Sequence, residues 1–163
     1  MSEFTSSKSD DEDKIRSLYQ QMIDGWNKSN GNDFAAPFDE NCDFIAFDGT
    51  HFKRRQEIAT FHQWLFDGFL RGSRLVGKIR SVRFLTPDVA IMHGIGGTVL
   101  AGKTDIEPER NSVHTLVAIK KQQKEKDTGE TEWRLIAFQN SRAQYIGRPE
   151  QSDALTEELR QLL

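Results

Sequence analysis

The chain has 163 residues, 36% of them hydrophobic, with a formal net charge of -3 and a sequence pI near 5.8. That length fits one domain with one core, and the mild acidity argues against nucleic acid as the main partner, since phosphate binding needs concentrated Lys and Arg. A single cysteine, Cys42, excludes an internal disulfide and a zinc–thiolate cluster, and no run of about eighteen apolar residues is present to span a membrane.

Residues 1–8 read as a disordered tail with no apolar signal core, which places the chain in a reducing cytosol. Ser9 and Glu12 fit a capping box, and Asp10 to Asp13 put negative charge at a helix start. Ile15, Leu18, Tyr19, Met22 and Trp26 then recur at helical spacing up to Gly31. Asn32 is suited to cap a short second helix through Phe38. Phe44 to Phe47 reads as a strand ending in the turn pair Asp48-Gly49. A third helix is expected from Arg54 to Leu70, with Ile58, Phe61, Leu65 and Phe69 as its stripe, His62 inside it and Phe66 beside it.

After Gly72 the period becomes that of strands. They are expected at 74–85, 89–100, 110–121 and 132–142, the last pair joined by a charged link with a turn at Asp127-Thr128-Gly129. Gly147-Arg148-Pro149 breaks the pattern. Leu155, Leu159 and Leu162 then form a short amphipathic helix that Ser152 is placed to cap. The division is a tail at 1–8, one domain at 9–147 and a helical extension at 148–163. Helices come first and an antiparallel meander last, an α+β layout whose curled sheet encloses a conical cavity.

The final strand carries Ile136, Phe138, Asn140 and Arg142 on one face and Trp133, Leu135, Ala137, Gln139 and Ser141 on the other. Neither face is cleanly polar, so both are expected to be partly buried. An amide and a guanidinium beyond two apolar residues suit a cavity wall.

This order resembles the nuclear-transport-factor-2-like superfamily. The strings that carry it are Trp26-Asn27, Asp33-Phe34-Ala35, Asp43-Phe44, Phe47-Asp48-Gly49-Thr50-His51, Phe84 through Ala90, Pro108 through Ser112, and Trp133 through Arg142. Over residues 12 to 146 the chain is similar to the SnoaL-like group, and within it to the SgcJ/EcaC family, which is named for oxidoreductases. The resemblance implies a cone-shaped cystatin-like fold, with three N-terminal helices on a curved, mostly antiparallel sheet and a short C-terminal helix. It also implies a small-molecule ligand and a homodimer formed through the sheet face. The superfamily includes isomerases, cyclases, dehydratases, ligand carriers and assembly modules, so it leaves the activity open. Set against the ketosteroid isomerases, the base position falls at Ala46, the oxyanion acid near Thr115 and the tyrosine near Gly25 or Trp26, which disfavours that mechanism. The same alignment turns Ile91, His93 and Ile95 into the cavity, together with Phe44, Ala46, Asp48, Ile136, Phe138 and Asn140.

His93 is the leading catalytic candidate, because it interrupts an apolar face of a central strand and histidine shuttles protons near neutral pH. Asp48 supplies a carboxylate at the rim. A paired neutral histidine and a turn-forming aspartate are the plainer readings of the two. His62 either closes over the cavity or packs, His51 falls at the rim, and His114 has the opposite parity to Thr115 and faces away. Asn140 is suited to orient a carbonyl or hydroxyl. Arg142 either holds a carboxylate, enolate or phosphate, or pairs with Asp48 or Glu109. Trp26, Phe38, Phe47, Phe66 and Phe138 supply walls, with Asn111 and Thr115 on the same lining. No metal is expected, as no ligand spacing supports one. No cofactor is expected either, since Gly94-Ile95-Gly96-Gly97 meets Val99 where a dinucleotide fingerprint needs glycine. Two readings stand: a small-molecule-binding cone with proton-transfer chemistry of the cyclase, isomerase or dehydratase kind, or a non-catalytic dimerisation or carrier module.

Overall fold

The computed structural model describes residues 2–122 and 130–163, with side chains from Lys8 onward. The turn at Asp127-Thr128-Gly129 lies outside the described residues. Helix α1 spans Ser2–Asn27, α2 Gly31–Ala35, α3 Arg55–Asp67 and α4 Pro149–Arg160. The strands are β1 Phe38–Ile45, β2 His51–Arg54, β3 Arg74–Thr86, β4 Val89–Val99, β5 Ser112–Gln122 and β6 Thr131–Arg142. They form one six-stranded sheet in the order β2-β1-β6-β5-β4-β3, antiparallel except for the parallel pair β1–β6. This is the cone of the cystatin-like, nuclear-transport-factor-2-like fold: helices on a curved mixed sheet, with a short C-terminal helix.

Helix α1 begins before Ser9, so Ser9 lies within the helix and is not its cap. The acidic run has specific partners: Asp11 accepts from the Trp133 indole at 3.0 Å and pairs with Lys120 at 3.0 Å. Ile15, Leu18, Tyr19, Met22 and Ile23 are buried on the sheet-facing stripe. Burying a side chain of this size stabilises by about 1.5–3 kcal/mol, so this stripe holds the helix to the sheet far more firmly than its exposed ion pairs do. Helix α2 is capped by Asn30, whose side chain accepts from the Asp33 N–H at 3.0 Å, rather than by Asn32. It ends at Ala35, and Phe38 already belongs to β1.

The two faces of β6 are reconciled by a bulge. Val117 faces Ala137 and Ala118 faces Leu135, which leaves Ile136 as the extra residue. One extra residue reverses the alternation. Trp133 and Leu135 therefore enter the core before the bulge, while Phe138 enters after it with Asn140 and Arg142 in the same row. Ile136 does not share the Phe138 row, contrary to the plain period-2 reading.

Helix α4 covers part of the convex face. Leu155 and Leu159 pack there with Val76, Ile95, Val99 and Ile106, forming a second core apart from the cavity. Ser152 lies inside α4, which starts at Pro149 with Arg148 as the cap residue.

Candidate active site

The concave face and the helices enclose a cavity of about 260 Å³. The aromatic wall comes from five elements. Trp26 is on α1, Phe34 on α2, Phe61 on α3, and Phe44 and Phe138 lie on the paired strands β1 and β6 with parallel rings 4.5 Å apart. Phe38 and Phe66 are fully packed behind this wall, against Phe44 and Trp26, and do not line the cavity. Ala46 and Asp48, just past the end of β1, lie on the lining as their spacing from Phe44 implies. Asp48 is exposed, and its Oδ1 accepts the Thr50 N–H at 3.0 Å in the turn that Gly49 closes with φ +93°. The Thr50 hydrogen bonds hold its carboxyl below the usual range, so it stays ionised at the mouth.

His93 is not in the cavity. It lies exposed on the convex face, 3.3 Å from the Thr115 hydroxyl, beside Gln139 and Ser141. Ile91 shares that face, Ile95 is buried beneath α4, and Asn111 donates to Thr156 of α4 at 2.8 Å. Thr115 points outward too. The parity of β4 and β5 is thus opposite to the expectation, for a steric reason. The inward row of β4 is Ala90, Met92, Gly94 and Gly96, and its far half is glycine because rings lie over it. A Cβ at Gly96 would meet the His114 ring at 2.8 Å, and one at Gly77 on the neighbouring strand would meet the Tyr19 hydroxyl at 2.6 Å. His114 therefore faces inward, and so does Leu116, which cannot contribute to a convex interface.

His114 sits at the centre of a buried polar chain. The Tyr19 hydroxyl lies 2.9 Å from the Ile95 carbonyl and 3.0 Å from His114 Nδ1. Ser112 Oγ lies 2.9 Å from His114 Nε2 and 3.3 Å from the Gly96 carbonyl. Donor accounting permits two arrangements. In one, Tyr19 donates to Ile95, Nδ1–H donates to Tyr19 and Ser112 donates to Nε2. In the other, Tyr19 donates to Nδ1, Nε2–H donates to Ser112 and Ser112 donates to Gly96. The two differ only in the direction of the protons. Burial, aided by the Arg142 charge, pushes His114 down to about 3, and burial raises the Tyr19 phenol above its ordinary value. The chain is neutral at physiological pH.

His62 lines the cavity from α3, stacked on Phe34 with ring centroids 4.2 Å apart. Its Nδ1–H donates to the Ile58 carbonyl at 2.8 Å, which fixes the tautomer and leaves Nε2 as an acceptor. Burial pushes it down to about 4, against that hydrogen bond.

The mouth end carries Asn140, Arg142 and Arg110. Arg142 Nη1 donates to the Arg110 carbonyl at 2.8 Å, and its guanidinium lies 3.9 Å over the Phe47 ring. The Arg110 guanidinium lies 5.8 Å over Phe69. Arg142 pairs with neither Asp48 nor Glu109. Arg110 Nε and Asn140 Oδ1 are buried without a protein partner. Sequence reasoning missed Arg110 because it closes the short 3-10 turn Pro108–Arg110 and was read as the start of a strand. It missed His114 because Gly94 and Gly96, the marks of a ring overhead, were read as an outward row. Among the described residues, no three His, Cys, Asp or Glu side chains gather closely enough to hold a metal ion.

A cystatin-like-fold domain of unknown function from Nostoc punctiforme is 40% identical to this chain, covers 88% of it and 84% of itself, and superposes with a TM-score of 0.76. The chain belongs to the family of that domain. A hexachlorocyclohexane dehydrochlorinase, LinA-type3, from Novosphingobium barchaimii shares the fold at 11% identity, with 85% and 90% of the two chains covered and a TM-score of 0.67. An NTF2-like protein with a cystatin-like fold from Novosphingobium aromaticivorans does so at 13% identity, with 90% and 88% covered and a TM-score of 0.66. No protein-family model and no curated protein sequence matches the chain. The family thus fixes the cystatin-like cone and leaves the SgcJ/EcaC subdivision undecided. No helix among the described residues is long and apolar enough to cross a membrane.

Proposed function

We propose that the chain binds a small, flat, apolar or aromatic molecule in the cone and that the site is equipped for proton transfer on it. The observation that carries this reading is the aromatic cavity of about 260 Å³ whose lining also holds the neutral Tyr19–His114–Ser112 chain. Pockets of this kind, apolar with a few convergent polar groups, are the usual small-molecule sites, and this volume suits one or two fused rings. His62 Nε2 is the proton acceptor on the lining, and the two proton arrangements around His114 let a charge at one end be answered at the other. A fold shared with a dehydrochlorinase supports chemistry of the elimination or isomerisation kind, and the SnoaL-like resemblance points the same way, whereas the SgcJ/EcaC family it also resembles is named for oxidoreductases.

Two measurements test it. Calorimetric titration with 2-naphthol is expected to show binding, and Ala46→Phe, which fills the cavity from the segment after β1, is expected to weaken it at least about 10-fold with the melting temperature held. Equal affinity in the variant refutes the cavity as the site. A carrier reading is favoured by one specific observation: imidazoles near 3 and 4 are weak bases at neutral pH. Deuterium exchange at an acidic C–H of a bound enolisable naphthyl ketone separates the two. Exchange no faster than in buffer leaves a carrier. A homodimer through the convex face around His93, Gln139 and Ser141, in a cytoplasmic setting, completes the proposal.

A further inference from the structure

We infer that the ligand of the cavity is a flat aromatic carboxylate, with its anionic group held between Arg110 and Arg142. This rests on the cavity being the binding site. Two guanidiniums line the same end of one cavity, each set against an exposed phenylalanine of the mouth, Phe47 at 53% and Phe69 at 77% exposure. Among the described residues neither has a carboxylate within ion-pair distance, although seven of the other arginines and lysines do: Arg16, Lys78, Arg80, Lys120, Lys121, Arg134 and Arg160. The two charges repel each other, and both guanidiniums are half-buried, where repulsion is poorly screened. Holding them together costs energy that an anion between them recovers.

The free donors point the same way. Arg142 spends Nη1 on the Arg110 carbonyl, which ties the Arg142 side chain to the Arg110 backbone and leaves its remaining N–H groups. Arg110 Nε is buried without a partner. The acids nearest to this end do not neutralise it. Asp48 is solvent-exposed with Oδ1 taken by Thr50, and Glu107 acts on Arg110 without forming an ion pair. The donors are planar guanidinium forks, which match the geometry of a carboxylate. A phosphate is more often met by backbone N–H groups at a helix start, and those are not what this end presents. The aromatic wall running inward from Phe47 to Phe44 and Phe138 receives the rings.

The test is calorimetry on the full chain at low salt with 2-naphthoate, its neutral isostere 2-naphthamide, and 2-naphthol. The carboxylate is expected to bind at least about 10-fold more tightly than the amide. Arg110→Gln and Arg142→Gln are each expected to bring that ratio close to one while 2-naphthol affinity changes less than about 2-fold. Arg142→Gln also frees the Arg110 carbonyl, so Arg110→Gln is the cleaner variant. Equal binding of carboxylate and amide, with 2-naphthol still bound, overturns the charge assignment alone. Failure of all three probes overturns the cavity reading beneath it. Tighter binding of 2-naphthyl phosphate than of 2-naphthoate overturns the choice of carboxylate.

Discussion

Acidification from pH 7 to pH 5 is expected to destabilise the protein steeply, and two buried imidazoles are the reason. In the unfolded chain His62 and His114 titrate near 6.5; in the folded protein burial moves them to about 4 and about 3. Above pH 6.5 both are neutral in either state, and their contribution to stability is fully present. Below it the unfolded chain takes up two protons that the native state refuses. The unfolded state then binds more protons, so stability falls as pH falls, approaching about 2.7 kcal/mol per pH unit for the two groups together. The loss continues until the folded imidazoles accept protons, near 4 for His62 and near 3 for His114. The depressed carboxylates Asp48, Asp105 and Glu158 act in the same direction but only at lower pH, since even their ordinary values are 3.8 and 4.5. The window from 6.5 to 5 therefore belongs to the histidines. Urea titrations at pH 7, 6 and 5 measure it. His62→Phe, which keeps a ring stacked on Phe34, is expected to remove about half of the slope. A flat stability between pH 7 and pH 5 in the parent protein would falsify the burial of neutral imidazoles.

The strands were legible because two-residue alternation bounded by turns survives in any context. The predicted strands after Gly72 match β3, β4, β5 and β6 to within about two residues. What alternation does not contain is which face is inward. For β1 the aromatic Phe44 decided it, and Ala46 and Asp48 just beyond its end followed. For β6 the answer changes at Ile136, and a bulge leaves no mark in a pattern of hydrophobicity. For β4 the bulky row, Ile91, His93 and Ile95, was read as facing the core. The core instead needed the small row, because Tyr19 and His114 occupy the space that side chains there would fill. Ile95 is buried all the same, under α4, a helix whose apolar stripe was visible but whose docking site was not. The candidate site followed the same division. Phe138, Asn140 and Arg142 lie beyond the bulge and line the cavity, while His93, Asn111 and Thr115 lie on the other side of the sheet. The imidazole that does enter the cavity from the sheet is one residue away from the position set against the isomerase acid.

Gly25→Ala is expected to lower stability by about 3 kcal/mol or more, although alanine is the better helix former. Gly25 lies in the last turns of α1, where α2 crosses it backbone to backbone. A Cβ there would stand 2.2 Å from the Phe34 nitrogen, 2.6 Å from the Asp33 carbonyl carbon and 2.6 Å from the Phe34 Cα. These are main-chain atoms of a capped helical turn, so no side-chain rotation relieves them. The helical preference for alanine returns about 1 kcal/mol. Overpacking costs about 1–3 kcal/mol where neighbours can shift and more where, as here, main chain cannot; at about 4 kcal/mol or more the clash exceeds that return by about 3. In a chain of this length that net loss corresponds to a fall in melting temperature of about 6–12 °C. The damage reaches the cavity by a short route. Moving the backbone of Phe34 shifts the ring that stacks on His62 and meets Phe44 at 6.3 Å, so 2-naphthol binding is expected to weaken even where the variant is folded. Ser17→Ala, an exposed position on the same helix, supplies the comparison. It removes only a bond from the Ser17 hydroxyl to the Lys14 carbonyl and is expected to leave both quantities in place. If Gly25→Ala melts with Ser17→Ala and binds equally well, α1 and α2 do not meet through their backbones, and the wall that Phe34 lends to the cavity is set by other contacts.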